Sequence, residues 1–177
     1  MRFTETKLAG VYVIGPHRFE DERGFLAPSF SAKEFAARGL ASVFVENNIS
    51  YSEGRGTIRG MHYQAAPYGQ AKLVRCTRGA VFDVAIDLRA ESQTFKQWSG
   101  VELSAENRSM LYLPPDCGHG YQTLVDDTEV FYMVSEVYAP ESGRGFRWDD
   151  PAFGIVWPDV GQRVLIERDL EYPDFSL

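Results

Sequence analysis

From Val43 onward, short runs of β-branched and aromatic residues recur about every ten positions, separated by Gly, Pro, Asn and Asp, which is the pattern of an all-β sandwich or barrel. Strands are expected around Val11 to Ile14, Thr57 to Tyr63, Val81 to Leu88, Trp98 to Leu103, Met110 to Leu113, Gly120 to Leu124, Glu129 to Val134 and Gly145 to Trp148. The Val81 to Leu88 run is the clearest. Phe82, Val84, Ile86 and Leu88 form one apolar face, and Val81, Asp83, Ala85 and Asp87 a smaller, more acidic one. An aspartate in mid-strand points into a wet barrel interior on this reading. Ser31-Ala32-Lys33-Glu34 has the form of a helix start and Gly39 of a stop, giving one short helix. Gln162 to Leu177 mixes apolar and charged residues without a period.

A chain of 177 residues is long enough to bury a core as one domain. Its net charge of −7, with both signs interspersed, provides no basic stripe for nucleic acid. No run approaches the length of a membrane span, and a soluble, cytoplasmic protein is expected. Cys76 and Cys117 belong to no metal or redox spacing and read as buried packing residues.

The ionisable residues concentrate in Gly56 to Arg75, which carries Arg59, His62 and Lys72 on two strand-like runs joined by a polar turn. Strict alternation sets Thr57, Arg59, Met61 and Tyr63 on one side, with Ile58, Gly60 and His62 on the other. Gly60 beside His62 marks either a bulge or the close approach of a ligand, and His62 then either faces a cavity or packs as a core histidine. The three histidines are His17, His62 and His119. His17 lies in a polar loop; His119 follows a Pro-Pro-Asp-Cys-Gly turn at the start of a strand, where it can face His62 across a barrel. Single histidines this far apart fall short of the three or four ligands of a usual metal site. Tyr132 shares a face with Val130 and Val134 and reads from spacing as core, while Asp169 reads as a surface residue.

The motifs DERGF (Asp21 to Phe25), FVENNISYS (Phe44 to Ser52), RGMHYQ (Arg59 to Gln64), KLVR (Lys72 to Arg75), GAVFDVAIDLR (Gly79 to Arg89), LSAEN (Leu103 to Asn107), HGY (His119 to Tyr121) and RWDDP (Arg147 to Pro151) stand in an order that resembles the dTDP-4-dehydrorhamnose 3,5-epimerase family, from about Gly10 to Asp169. The resemblance implies a cupin-like β-jelly roll with one or two short helices, a homodimer whose N-terminal segments reach the neighbouring subunit, and no metal or other cofactor. It implies a nucleoside diphosphate 4-keto-6-deoxy sugar as substrate. His62 is then the base that removes a proton beside the ketone, Asp169 its partner, Lys72 the cation at the enolate oxygen, and Tyr132 the acid on the opposite face. Arg59 and His119 are implied at the diphosphate or sugar, Arg23 at the nucleotide of the adjoining subunit, Asn47 and Asn48 at the ligand, and Tyr138 stacked on the base; Phe25, Gln64 and Arg168 fall in the same matching segments. Alternation adds that Asp83 can pair with His119 and act on Lys72. Pro28 and Gly143 stand where the family commonly has acidic residues, and Met133 and Arg168 where lysine is frequent. Rival readings are a single-carbon epimerase, one using another nucleotide, a metal-dependent cupin enzyme and a non-catalytic sugar-binding jelly roll.

Overall fold

The structure, a computed structural model, describes residues 1–176. Strands β1 (Arg2–Glu5), β2 (Tyr12–Gly15), β5 (Glu46–Ser52), β7 (Lys72–Arg78), β10 (Met110–Leu113) and β12 (Thr128–Val134) form one antiparallel sheet in the order β1-β2-β10-β7-β12-β5. A second contains β6 (Ile58–Gln64), β8 (Ala80–Asp87), β9 (Trp98–Ser104), β11 (Cys117–Thr123) and β13 (Gly143–Gly145), in the order β13-β6-β11-β8-β9. The two sheets face each other as a β-jelly roll. β3 (Phe19–Asp21) and β4 (Gly24–Leu26) make a separate exposed ribbon.

Val74, Cys76, Val81, Ala85, Leu111 and Val130 meet in the core between the sheets. This settles the two faces of β8. Val81, Asp83 and Ala85 point inward, whereas Val84 and Ile86 pack outward against Phe146, Phe153 and Trp157. Both faces are therefore buried, the second mainly by the chain from Phe146 to Trp157, with Leu165 and Phe175 of the aperiodic C-terminal stretch packed beside it. Both cysteines are free and buried, where burial raises Cys76 to about 11 and Cys117 to about 12, consistent with packing residues.

Helix α1 (Ala32–Ala36) begins at Ser31, whose Oγ accepts from the Glu34 N–H at 3.4 Å, and ends before Gly39 at φ +70°. A second helix, α2 (Glu167–Glu171), lies in the aperiodic C-terminal stretch and carries Asp169. Among the described residues no helix is long and apolar enough to cross a membrane.

Candidate active site

β6 does not keep strict alternation. Between the pairs His119↔His62 and Tyr121↔Arg59, β11 advances two residues while β6 advances three. The extra residue is a bulge, and it reverses the facing of everything beyond it. Arg59 and His62, expected on opposite sides, consequently line the same cavity, while Ile58 and Met61 join the outer core. Gly60 sits at the bulge with φ +126°, and a Cβ there would lie 2.6 Å from Gly120 Cα. The glycine is required by a neighbouring strand and opens no space for a ligand. His119 also differs from expectation: it lies within β11, paired beside His62 in one sheet and not across the barrel.

The cavity, about 660 Å³, is joined to a second lobe of about 550 Å³, and His62, Lys72, Tyr132 and Arg168 line both. Val164 ties the C-terminal segment to β6 through hydrogen bonds with Ile58 and Gly56, which delivers α2 to the mouth. Asp169 is 2% exposed, so it is no surface residue. Its Oδ1 lies 2.9 Å from His62 Nε2, and its Oδ2 accepts from the Gly60 N–H at 3.3 Å. Burial by itself would raise the Asp169 carboxyl, but His62, the Gly60 N–H and Arg168 outweigh it and hold the group below the ordinary carboxylate value.

Lys72 enters from β7 on the inward face shared with Val74 and Cys76. Burial lowers it to about 8, against an upward pull from Asp83. Tyr132 packs against the inner core, as its spacing suggested, and also lines both lobes. Burial raises its hydroxyl above the ordinary tyrosine value, with Arg59 opposing. His119 and Asp83 pair as alternation suggested, Nε2 to Oδ1 at 2.8 Å. Arg59 is held at the rim by Ser52 Oγ and the Tyr51 carbonyl.

At the second lobe, Asn48 and the exposed Tyr138 line the wall beside Gly143 and Arg144. Asn47 does not: period-two alternation on β5 turns it to the outer surface. Gln64 lines this lobe too, but its buried amide is occupied by backbone. Nε2 donates to the Tyr68 and Val137 carbonyls, and Oε1 accepts from the Ala139 N–H, so the side chain brackets Tyr138. Arg23 and Phe25 line neither lobe of their own chain. They sit on the exposed ribbon, Arg23 paired with Asp21, and Arg18 and Arg108 over the Phe25 ring. Arg168 reaches both lobes and places Nε 3.3 Å from Asp169 Oδ1.

Several lining residues were not singled out from the sequence. Ser50, on the same face of β5 as Asn48, accepts from the Tyr121 hydroxyl at 2.8 Å, and alternation could have found it. Tyr172, just after α2, gave no such signal. Together these groups set a carboxylate-backed imidazole, a cation and a phenol around one volume, an arrangement suited to moving protons on and off carbon.

A sequence model described as dTDP-4-dehydrorhamnose 3,5-epimerase matches residues 5–176. A dTDP-4-dehydrorhamnose 3,5-epimerase of Sinorhizobium fredii (strain NBRC 101917 / NGR234) is 44% identical over 173 residues, spanning 98% of this chain and 89% of the relative. The crystal structure of the enzyme of that name from Elizabethkingia anophelis NUHP1 superposes with a TM-score of 0.95 at 38% identity, covering 99% of this chain and 96% of the other. The one from Bacillus anthracis str. Ames, solved with TDP and PPi bound, gives 0.93 at 40% identity, covering 98% and 99%. The chain belongs to the dTDP-4-dehydrorhamnose 3,5-epimerase family.

Proposed function

We propose that this chain is a cofactor-independent epimerase that converts dTDP-4-dehydro-6-deoxyglucose to dTDP-4-dehydrorhamnose by inverting C3 and C5. The observation that carries the reading is the His62–Asp169 pair opening onto a volume that Lys72 and Tyr132 also line. The C4 ketone acidifies the hydrogens at C3 and C5. With Nε2 held by Asp169, His62 offers Nδ1 to take such a proton, and the carboxylate supports the imidazolium that forms. Electrons from the broken C–H bond move onto the ketone oxygen, where the Lys72 ammonium stabilises the enolate. Tyr132 returns a proton to the opposite face of the carbon, which inverts it; His62 then gives up its proton and Tyr132 regains one by exchange with solvent, and the cycle repeats at the second carbon.

The lobe with Tyr138, Asn48 and Arg144 serves the nucleotide, with Tyr138 stacked on the base and Arg59, His119 and Arg168 toward the diphosphate and sugar. The TDP bound by the Bacillus anthracis relative supports thymidine despite Pro28 and Gly143. Arg23 and Phe25 act in a homodimer, their exposed ribbon reaching the partner's nucleotide end; size-exclusion chromatography with light scattering at the monomer mass would end that part of the reading. The direct test is incubation with dTDP-4-keto-6-deoxyglucose in heavy water, following deuterium by NMR. Label at both C3 and C5 is expected. Label at one carbon identifies a single-site epimerase, and label at neither overturns the assigned substrate.

A further inference from the structure

We propose that Tyr172 is a positioning residue for His62, acting through the side-chain space that Gly145 leaves free; this rests on His62 being the base. Gly145 of β13 is the register partner of His62 on β6. Its φ lies outside the left-handed region, so its backbone accepts any L residue. Space is what demands glycine. A Cβ at 145 would fall 2.4, 2.5 and 2.8 Å from three ring carbons of Tyr172, and those are its three nearest atoms. The Tyr172 ring therefore lies directly on the β13 backbone, alongside the base. It meets the His62 ring edge to face, with centroids 5.8 Å apart and planes at 64°.

Asp169 and Tyr172 are three residues apart on α2 and its C-cap, so one short element supplies both contacts. They are complementary. The Asp169 carboxylate holds a single atom of the imidazole, and a ring fixed at one atom still turns, because the χ2 well of histidine is broad. Packing against a flat ring removes that rotation and fixes where Nδ1 points. The Tyr172 hydroxyl makes no hydrogen bond among the described residues, so the aromatic face and not the phenol carries the effect.

The test is a pairwise cycle of Gly145→Ala and Tyr172→Leu, with kcat, KM and melting temperature measured for each. Gly145→Ala should lower kcat about tenfold or more, since displacements of about an ångström cost up to about 10²-fold. KM and the melting point should move far less. Tyr172→Leu should lower kcat similarly, and adding Gly145→Ala to it should cost nothing further, because the ring that the new methyl displaces is gone. Tyr172→Phe should stay within about twofold of the parent. Parental kcat in both single variants, or losses that multiply in the double variant, would overturn the proposal. His62→Ala separates the two levels: full activity there removes the base assignment and this inference with it, whereas an inactive His62→Ala beside fully active Gly145→Ala and Tyr172→Leu removes the inference alone.

Discussion

His62 and His119 stand side by side in one sheet, and each presents Nε2 to a carboxylate Oδ1, at 2.9 and 2.8 Å. The hydrogen bonds are alike and the surroundings are not. The His62 side chain is 31% exposed to the cavity, and its partner Asp169 arrives from the C-terminal helix with two further donors, the Gly60 N–H and Arg168 Nε. The His119 side chain is 10% exposed, and its partner Asp83 is fully buried on the adjacent strand, with no hydrogen-bond partner for Oδ2 among the described residues. A histidine–aspartate pair by itself thus does not define a base. Exposure to the cavity is what sets the first pair apart as the proposed base. The second sets Asp83 inside the barrel, where it opposes the lowering of Lys72 by burial.

If that contrast is right, the two pairs respond differently to the same kind of damage. The largest effect is expected for His62→Ala, with kcat reduced by about 10²–10⁴-fold, the usual contribution of a general base. Binding of dTDP, followed by calorimetry, should be preserved. Near-parental turnover would erase the distinction. Asp169→Asn should follow, at about 10²-fold in kcat, because a neutral amide keeps the contact but no longer stabilises the imidazolium. His119→Ala should act on KM, raising it about tenfold as one charge-assisted contact to the substrate is lost, with kcat changed only a few-fold. A kcat loss there as deep as that of His62→Ala would make both histidines participants in proton transfer.

What could be read in advance follows the same division. The strands were legible because period-two alternation is local, and the inward facing of Asp83, hence its meeting with His119, followed from it. The opposite facing assigned to Arg59 and His62 failed because a bulge of one residue on β6 breaks the count, and its one local sign, Gly60, marks a ligand's approach as readily as a bulge. Asp169 and Tyr172 were illegible for a further reason. The segment around α2 is shaped by what it covers, the outer face of β6 and β8, so its apolar residues keep no period of their own. The resemblance to the family assigned Asp169, and it placed Gln64 in a matching motif, where the side chain lines the second lobe while its amide brackets Tyr138.

The smallest expected effect is a displacement along the pH axis, and it tests the interior pair directly. Burial lowers Lys72 to about 8, and Asp83 partly opposes this. If the Lys72 ammonium stabilises the enolate, kcat should fall as pH rises through about 8. Tyr132 should still be protonated there, since burial raises it above its ordinary value of 10.0. Asp83→Asn removes the charge that favours the ammonium, so this alkaline limb should move to lower pH, with only a modest loss of kcat at neutral pH. Stability has the opposite sign. Between about 8 and the ordinary lysine value of 10.5 the unfolded chain holds a proton that folded Lys72 has released, so the contribution of Lys72 to stability rises with pH where activity declines. Kinetic and denaturation profiles taken over one pH series separate the two: parallel declines would show that the loss of activity is unfolding, and an alkaline limb that Asp83→Asn leaves in place would show that the buried carboxylate does not act on Lys72.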